Sequence, residues 1–463
     1  MVECNLAKVD VAGSNPVSRS KFLKSNISFI QSRSRIADPF RFGVRYLLLT
    51  PKTELALAGR ICRLIRSLQS VAETQEMSFQ SLLWPKPMQD TADELAEDIR
   101  KHWPDRFSTS YLKKRLRQIV EDLAADPIGQ HTQERSAAFL GELECFAETK
   151  LCIAPVEGIQ LVNDDPVTLG PFRLRRVTPE VHESIHAITV KALTYTLHTP
   201  SEQDALAKRF RTDAEYIMAA GNVIVEFEVV ADSEHAHAVF FEKANALMDL
   251  LQMSTRVVEW CGSVRVGLRG GPHAGTYSAW VLPLNAGGLS QEHRLTGGIG
   301  EIVLDPGNLT LMERAGIMRL AESLGRNATP LEDSLLRAAH WFAQSTLQEN
   351  ASQGTFSLVV CLEAVLASSS GRVVAESVAR LVGNTPAEKR YLYTLVLYAY
   401  GVRNVVVHEG RVNQDVSRQQ EFSRAVQNFI TTCIYLCDEL KTPESLNQRI
   451  EDLRFSVGVD GPE

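Results

Sequence analysis

Four polar side chains gather at the end of one apolar segment, Tyr400, Arg403, Asn404 and His408, and Glu363 stands upstream as a candidate partner. An arginine presents a forked, permanently charged donor that matches phosphoryl oxygens, and an imidazole exchanges protons near neutral pH. Together they supply charge stabilisation and acid–base chemistry at a phosphate. Tyr400, Asn404 and His408 follow at four-residue steps and share a helical face, while Arg403 borders that face. Five residues of helix set Arg403 and His408 about 140° apart, so one copy converges on a single phosphate imperfectly. Polar groups in a buried helix cost on the order of several kcal/mol unless each is compensated, so specific partners are expected. The plainer reading makes Arg403 a buried ion-pair partner of Glu363, and His408 a cap on a helix end.

A second constellation competes. His182-Glu183-Ser184-Ile185-His186 has the spacing that sets two imidazoles on one helical face around zinc, with Glu183 to activate water. Thr178-Pro179 places it in the first turns of its helix, and the only third ligands on offer are His198 and Glu215. A solvated helix start is the simpler account, which leaves His182 and His186 weak metal candidates. Arg269 to Gly275 is glycine-rich without the lysine of a phosphate-binding loop and reads as a connection between strands. His235 and His237 diverge on a helix start. The scattered tryptophans suit cores better than a base-stacking platform.

The elements that must hold the first constellation are well marked. Thr329-Pro330-Leu331-Glu332 and Thr385-Pro386-Ala387-Glu388 each combine a hydroxyl cap, proline at the first helical position and glutamate at the third. Ser368 to Gly371 separates the helix of Leu362-Glu363-Ala364 from the next, and Gly410 stops the helix that carries His408. A long amphipathic helix from about Val416 to Leu440 ends the pattern, with Cys433 and Cys437 on its apolar face. Upstream, helical periodicity runs from Leu55 to Leu151. Two strands, Ile153 to Val162 and Val167 to Val177, are expected to form a hairpin around Asn163 to Pro166. Further strands are expected at Asn222 to Val230, Ser263 to Leu268 and Thr276 to Leu284, with helices at Glu234 to Gln252 and Leu311 to Leu324.

The expected class is a multidomain α+β protein. It comprises a basic tail (1–46), a helical region (47–150), an α+β sensing or regulatory domain (151–325) and an all-α helical bundle (326–463). Gly13-Ser14-Asn15-Pro16 also matches a transfer RNA gene arm read through the code (GGU-UCG-AAU-CCN), which raises a translation start downstream of this stretch as the alternative to a basic tail. The formal net charge of -7 opposes a polyanion globally, so any nucleic-acid contact needs a local basic patch. Eight cysteines with no CxxC pair suit a reducing cytosol. No apolar run reaches a membrane span, and no membrane partner or cofactor is expected.

An arginine and a polar residue followed by histidine at the end of a helix resemble the signature of the HEPN superfamily. With the upstream Leu362-Glu363-Ala364 helix, tyrosines before Arg403 and His408-Glu409-Gly410, the segment from about 329 to 440 is most similar to the Apea-like branch. The resemblance implies a metal-independent endoribonuclease in which Arg403, Asn404 and His408 act on RNA through its 2′-hydroxyl, supported by Tyr400 and Glu363. It further implies a homodimer through the C-terminal helices, transfer RNA among the possible substrates, an unknown phage or cellular trigger, and a place in bacterial antiviral defence by abortive infection. Two alternatives stand beside it: a non-catalytic regulatory or RNA-binding dimerisation protein of the same type, and, more distantly, a zinc hydrolase at His182 and His186.

Overall fold

The computed structural model describes residues 51–75, 84–104, 106–125, 132–146, 149–196, 222–258, 266–268, 276–283, 290–295, 301–348, 350–409 and 416–456. The expected basic tail and the glycine-rich 269–275 lie outside them. Helices dominate, and the strands form one antiparallel sheet with a small parallel pair beside it.

The first helices are α1 (Pro51–Gln75), α2 (Lys86–His102), α3 (Thr109–Ala124) and α4 (Thr132–Phe146). Their apolar residues at three- and four-residue spacing, among them Ile61, Ile65, Leu68, Ile99, Leu116, Val120 and Phe139, close on one another in a core of their own. Ser108 caps α3 by accepting from the Tyr111 amide at 3.1 Å. The Ser108 amide donates to Asp232 Oδ2 at 2.7 Å, and the other oxygen of that carboxylate caps the next long helix. One aspartate therefore ties the helical layer to the sheet.

The sheet is built from β1 (Thr149–Glu157), β3 (Val167–Leu169), β4 (Phe172–Arg176), β5 (Val223–Val230), β6 (Gly267–Leu268), β7 (Thr276–Pro283) and β8 (Ser290–Leu295). They lie in the order β3-β4-β5-β1-β7-β8, with β6 beside the end of β1. β2 (Ile159–Leu161) instead runs parallel to β9 (Ile302–Leu304). The hairpin expected around Asn163 to Pro166 is not formed. β1 and β4 each pair with β5, which stands between them, and the tight hairpin is β3 to β4 over Gly170-Pro171. Gly170 has φ +57°, and a Cβ there would collide with the Ala321 carbonyl, so a glycine is required twice over. Alternation along β4 and β5 turns Phe172, Leu174, Val225 and Phe227 toward α6 (Ser233–Val258). On the opposite face Glu226 is buried against Arg175, at 2.6 Å. Burial pushes the Glu226 carboxyl above its ordinary range despite Arg175.

The single helix expected from Leu311 to Leu324 is two, α7 (Pro306–Arg314) and α8 (Ile317–Ser323). They break at Gly316, where φ is +77° and a Cβ would meet Ile434 at 2.8 Å. Both capping boxes form: Thr329 opens α9 (Pro330–Leu347) and Thr385 opens α12 (Pro386–Glu409), each exchanging hydrogen bonds with its glutamate. Between them lie α10 (Ala351–Leu366) and α11 (Gly371–Val382); α13 (Val416–Leu436) and α14 (Pro443–Ser456) follow. The helix expected to reach Leu440 ends four residues earlier, and α14 is an additional element that buries Leu446 and Ile450. One apolar cluster runs unbroken from the sheet through α6 to these helices, joined also by Gln252 Nε2 donating to Thr346 Oγ1 at 2.8 Å. Among the described residues no single helix is long and apolar enough to cross a membrane. α10 and α11 would qualify together by composition, but they are bent by 78° and fill the core.

Candidate functional site

α12 packs against α10, α11 and α13 through Leu392, Leu395, Val396 and Ala399, then emerges from the core. Past Tyr400 the burial expected from sequence no longer holds: Gly401, Asn404, Val407 and His408 are exposed. Only Tyr400, 7% exposed, and Arg403, whose side chain is 28% exposed, bear a desolvation cost.

Those two find partners on α10. The Tyr400 hydroxyl donates to Glu363 Oε1 at 3.1 Å, and an Arg403 terminal nitrogen lies 3.9 Å from the same oxygen. At that separation the attraction is worth about 4 kcal/mol before desolvation is subtracted. The other terminal nitrogen of Arg403 makes only a long contact, 3.4 Å, with Asn404 Oδ1, and Nε is buried with no hydrogen-bond partner among the described residues. The guanidinium is thus anchored through one edge and under-satisfied on the rest. Burial, reinforced by the Glu363 charge and hydrogen bond and opposed by Arg403, raises the Tyr400 phenol well above its usual range. Tyr400 therefore serves as a proton-bearing donor that holds Glu363, not as a base.

One contributor carried no functional reading in the sequence. Gly371 opens α11 directly against the Tyr400 ring: a Cβ there would lie 2.8 Å from Cγ and 2.9 Å from Cδ1. The signal was a glycine inside the first turn, after the Ser370 N-cap, at a position where glycine is about 1 kcal/mol less favourable than alanine.

Tyr400, Glu363, Arg403 and Asn404 form one cluster, whereas no hydrogen bond or ion pair joins His408 to it. His408 stands on the exposed face of the last turn, as the 140° offset requires.

His182 and His186 share a side of α5 (Pro179–Thr196), their rings 6.2 Å apart. His186 and Glu183 are exposed, and no third metal-ligating side chain joins them among the described residues; His198 and Glu215 fall outside these. His237 is buried and stacked on Phe241, and His235 is half-buried, both in the first turns of α6. Cys433 and Cys437 are core residues, and burial raises the Cys437 thiol to about 11, which keeps it protonated. A depression on α2 and α3 lined by Asp93, Glu94, Glu97 and Asp98 is neutralised locally, Lys113 meeting Asp93 at 2.9 Å and Lys101 meeting Asp98 at 2.7 Å.

No family model matches the chain, and neither a curated protein nor a solved structure is detectably similar to it.

Proposed function

We propose that this chain is a metal-independent endoribonuclease of the HEPN type, acting in bacterial defence against phage, with its helical and α+β regions sensing the trigger. The observation that carries the reading is the incompletely satisfied guanidinium of Arg403. It is fixed from behind by Glu363, which Tyr400 secures, and it has donor capacity left beside an exposed Asn404. That is what a phosphate site on a helix end needs. The 2′-hydroxyl of RNA is then the nucleophile. Arg403 neutralises the phosphate oxygens, Asn404 orients them, and His408 moves the proton. Because Arg403 and His408 point apart on one helix, a homodimer completes the site, the Arg403 of one copy facing the His408 of another. Exposed Val373 and Val407 on α11 and α12 offer apolar contact for that pairing. Those same valines favour the second reading, a dimerisation module without catalysis. Incubating the protein with bulk RNA and transfer RNA in EDTA decides between them. Cleavage should persist without metal and fall by about 10²- to 10⁴-fold in His408→Ala; intact RNA under all conditions, phage lysate included, would favour the module. Loss of cleavage in EDTA would turn attention to His182 and His186.

A further inference from the structure

The helices α1 to α4 close on a core of their own, which includes Trp103 and Phe107. It shares no residue with the apolar cluster that runs from the sheet through α6 to the C-terminal helices. From Pro51 onward the chain passes from the first group to the second once, between Phe146 at the end of α4 and Thr149 at the start of β1. Thr149 pairs with Val230, two residues before Asp232. The passage and the Asp232 contacts therefore lie side by side, at one end of β1 and β5.

Those contacts are polar. Asp232 is 3% exposed; its amide donates to the Arg106 carbonyl at 2.8 Å, and its Oδ2 accepts from the Ser108 amide at 2.7 Å. The Ser108 and Ser110 hydroxyls donate to Glu234, an exposed residue in the first turn of α6. Each side also closes without the other. Oδ1 of Asp232 caps α6 through the Glu234 and His235 amides at 2.9 and 3.1 Å, while Ser108 Oγ caps α3 through the Tyr111 amide. Parting the two sides at Asp232 uncovers hydrogen-bonding groups that water can satisfy, and it leaves both cores intact. A polar joint of this kind between separate cores is where relative motion is expected.

We infer that α1 to α4 form a hinged unit that turns about the passage from Phe146 to Thr149, with Asp232 as the latch that holds it docked. Docked and released states differ by a few polar contacts, so anything that binds the released state alone shifts the balance toward it. The unit turns as a body because its core travels with it. The latch parts at Oδ2 and at the Asp232 amide, while Oδ1 stays on α6 and keeps that helix capped. This gives the helical region a moving part, and the inference stands whether or not the chain cleaves RNA.

The test is limited trypsin digestion of the full-length protein, following the initial rate of cleavage after Arg106 by mass spectrometry. The Arg106 carbonyl is held by the Asp232 amide, so that bond opens to the protease only when the joint parts, and the rate tracks the released population. Asp232→Asn isolates the latch. Asparagine caps a helix as well as aspartate does, so its carbonyl keeps the α6 amides, but the nitrogen that replaces Oδ2 is a donor facing the Ser108 donor. Cleavage after Arg106 should rise roughly 10- to 100-fold, the worth of one hydrogen bond to a charged acceptor. Asp305→Asn, the same exchange at the cap of α7, should leave the rate unchanged. Ser108→Pro is a second route: φ of -72° suits proline, and the substitution removes the amide donor without touching Asp232. Its rate is divided by that of a peptide spanning residues 101–112 with the same substitution. Arg63 and Arg66 on α1 should stay protected throughout. If neither variant is cut faster after Arg106 than wild type, the latch is overturned. If Arg63 and Arg66 are cut as fast as Arg106, the unit unfolds instead of turning, and the hinge is overturned.

Discussion

Replacing Gly371 by alanine tests the link between the α11 start and Arg403. The added Cβ would sit 2.8 Å from Tyr400 Cγ, against an ordinary contact of 3.4 Å or more, so the ring must retreat by about 0.6 Å. The Tyr400 hydroxyl lies 3.1 Å from Glu363, and a retreat of that size takes it beyond hydrogen-bonding distance. A hydrogen bond to a charged acceptor contributes about 1.5–3 kcal/mol, and alanine in place of glycine in a helix returns up to about 1 kcal/mol. The net destabilisation should be about 0.5–2 kcal/mol, which leaves the protein folded. Glu363, released from Tyr400, no longer holds Arg403 in place. Because misplacement by 1 Å costs roughly 10²-fold in rate, the RNA cleavage rate at saturation should drop roughly tenfold. Tyr400→Phe keeps the ring but removes the donor, so Gly371→Ala on that background should cost little further activity. Unchanged cleavage in Gly371→Ala, or losses that multiply in the double variant, would refute the coupling.

Three further outcomes concern stability. Ala367 ends α10 in the left-handed region at φ +48°, so Ala367→Gly should stabilise by about 1 kcal/mol in urea unfolding. Arg175→Ala leaves the buried Glu226 with only the distant, half-exposed Arg173 at 4.0 Å and should cost about 3 kcal/mol, whereas Arg173→Ala should cost far less. Glu332 closes the cap of α9. Burial alone would raise its carboxyl, but Arg326 and the Thr329 amide outweigh burial and hold it below its ordinary value of 4.5. Its folded value is therefore the lower one. The stability it confers is present above about pH 4.5 and is lost as pH falls through the folded value. Unfolding free energy measured on acidification should lose part of this slope in Glu332→Gln.

The helices of the C-terminal region were legible because their caps are local. Thr329 and Thr385 carry the whole capping signature within four residues, and each fixes a helix start in the structure. The same logic reaches α14, where Thr442 and Pro443 stand before Ser445 and both reciprocal hydrogen bonds form, but serine in place of the usual glutamate left the signature unread. Strand pairing was less legible. Apolar alternation marks β1 and β4 as strands, yet nothing in either segment says that β5, some fifty residues on, will stand between them. At the site, helical spacing placed Tyr400, Arg403 and Asn404 correctly. It could not show that α12 leaves the core at Gly401, because burial depends on where α10, α11 and α13 end. The role of Gly371 likewise depends on a contact across the bundle with Tyr400.

The central claim is that Arg403, Asn404 and His408 cleave RNA through its own 2′-hydroxyl. The most direct measurement is the chemistry of the ends left on transfer RNA or bulk RNA incubated with the protein in EDTA, read by mass spectrometry. The account requires 2′,3′-cyclic phosphate ends, absent with Arg403→Ala or His408→Ala and absent from a substrate bearing 2′-deoxy sugars. Ends bearing a free 3′-hydroxyl, or cleavage that survives either substitution, would contradict it.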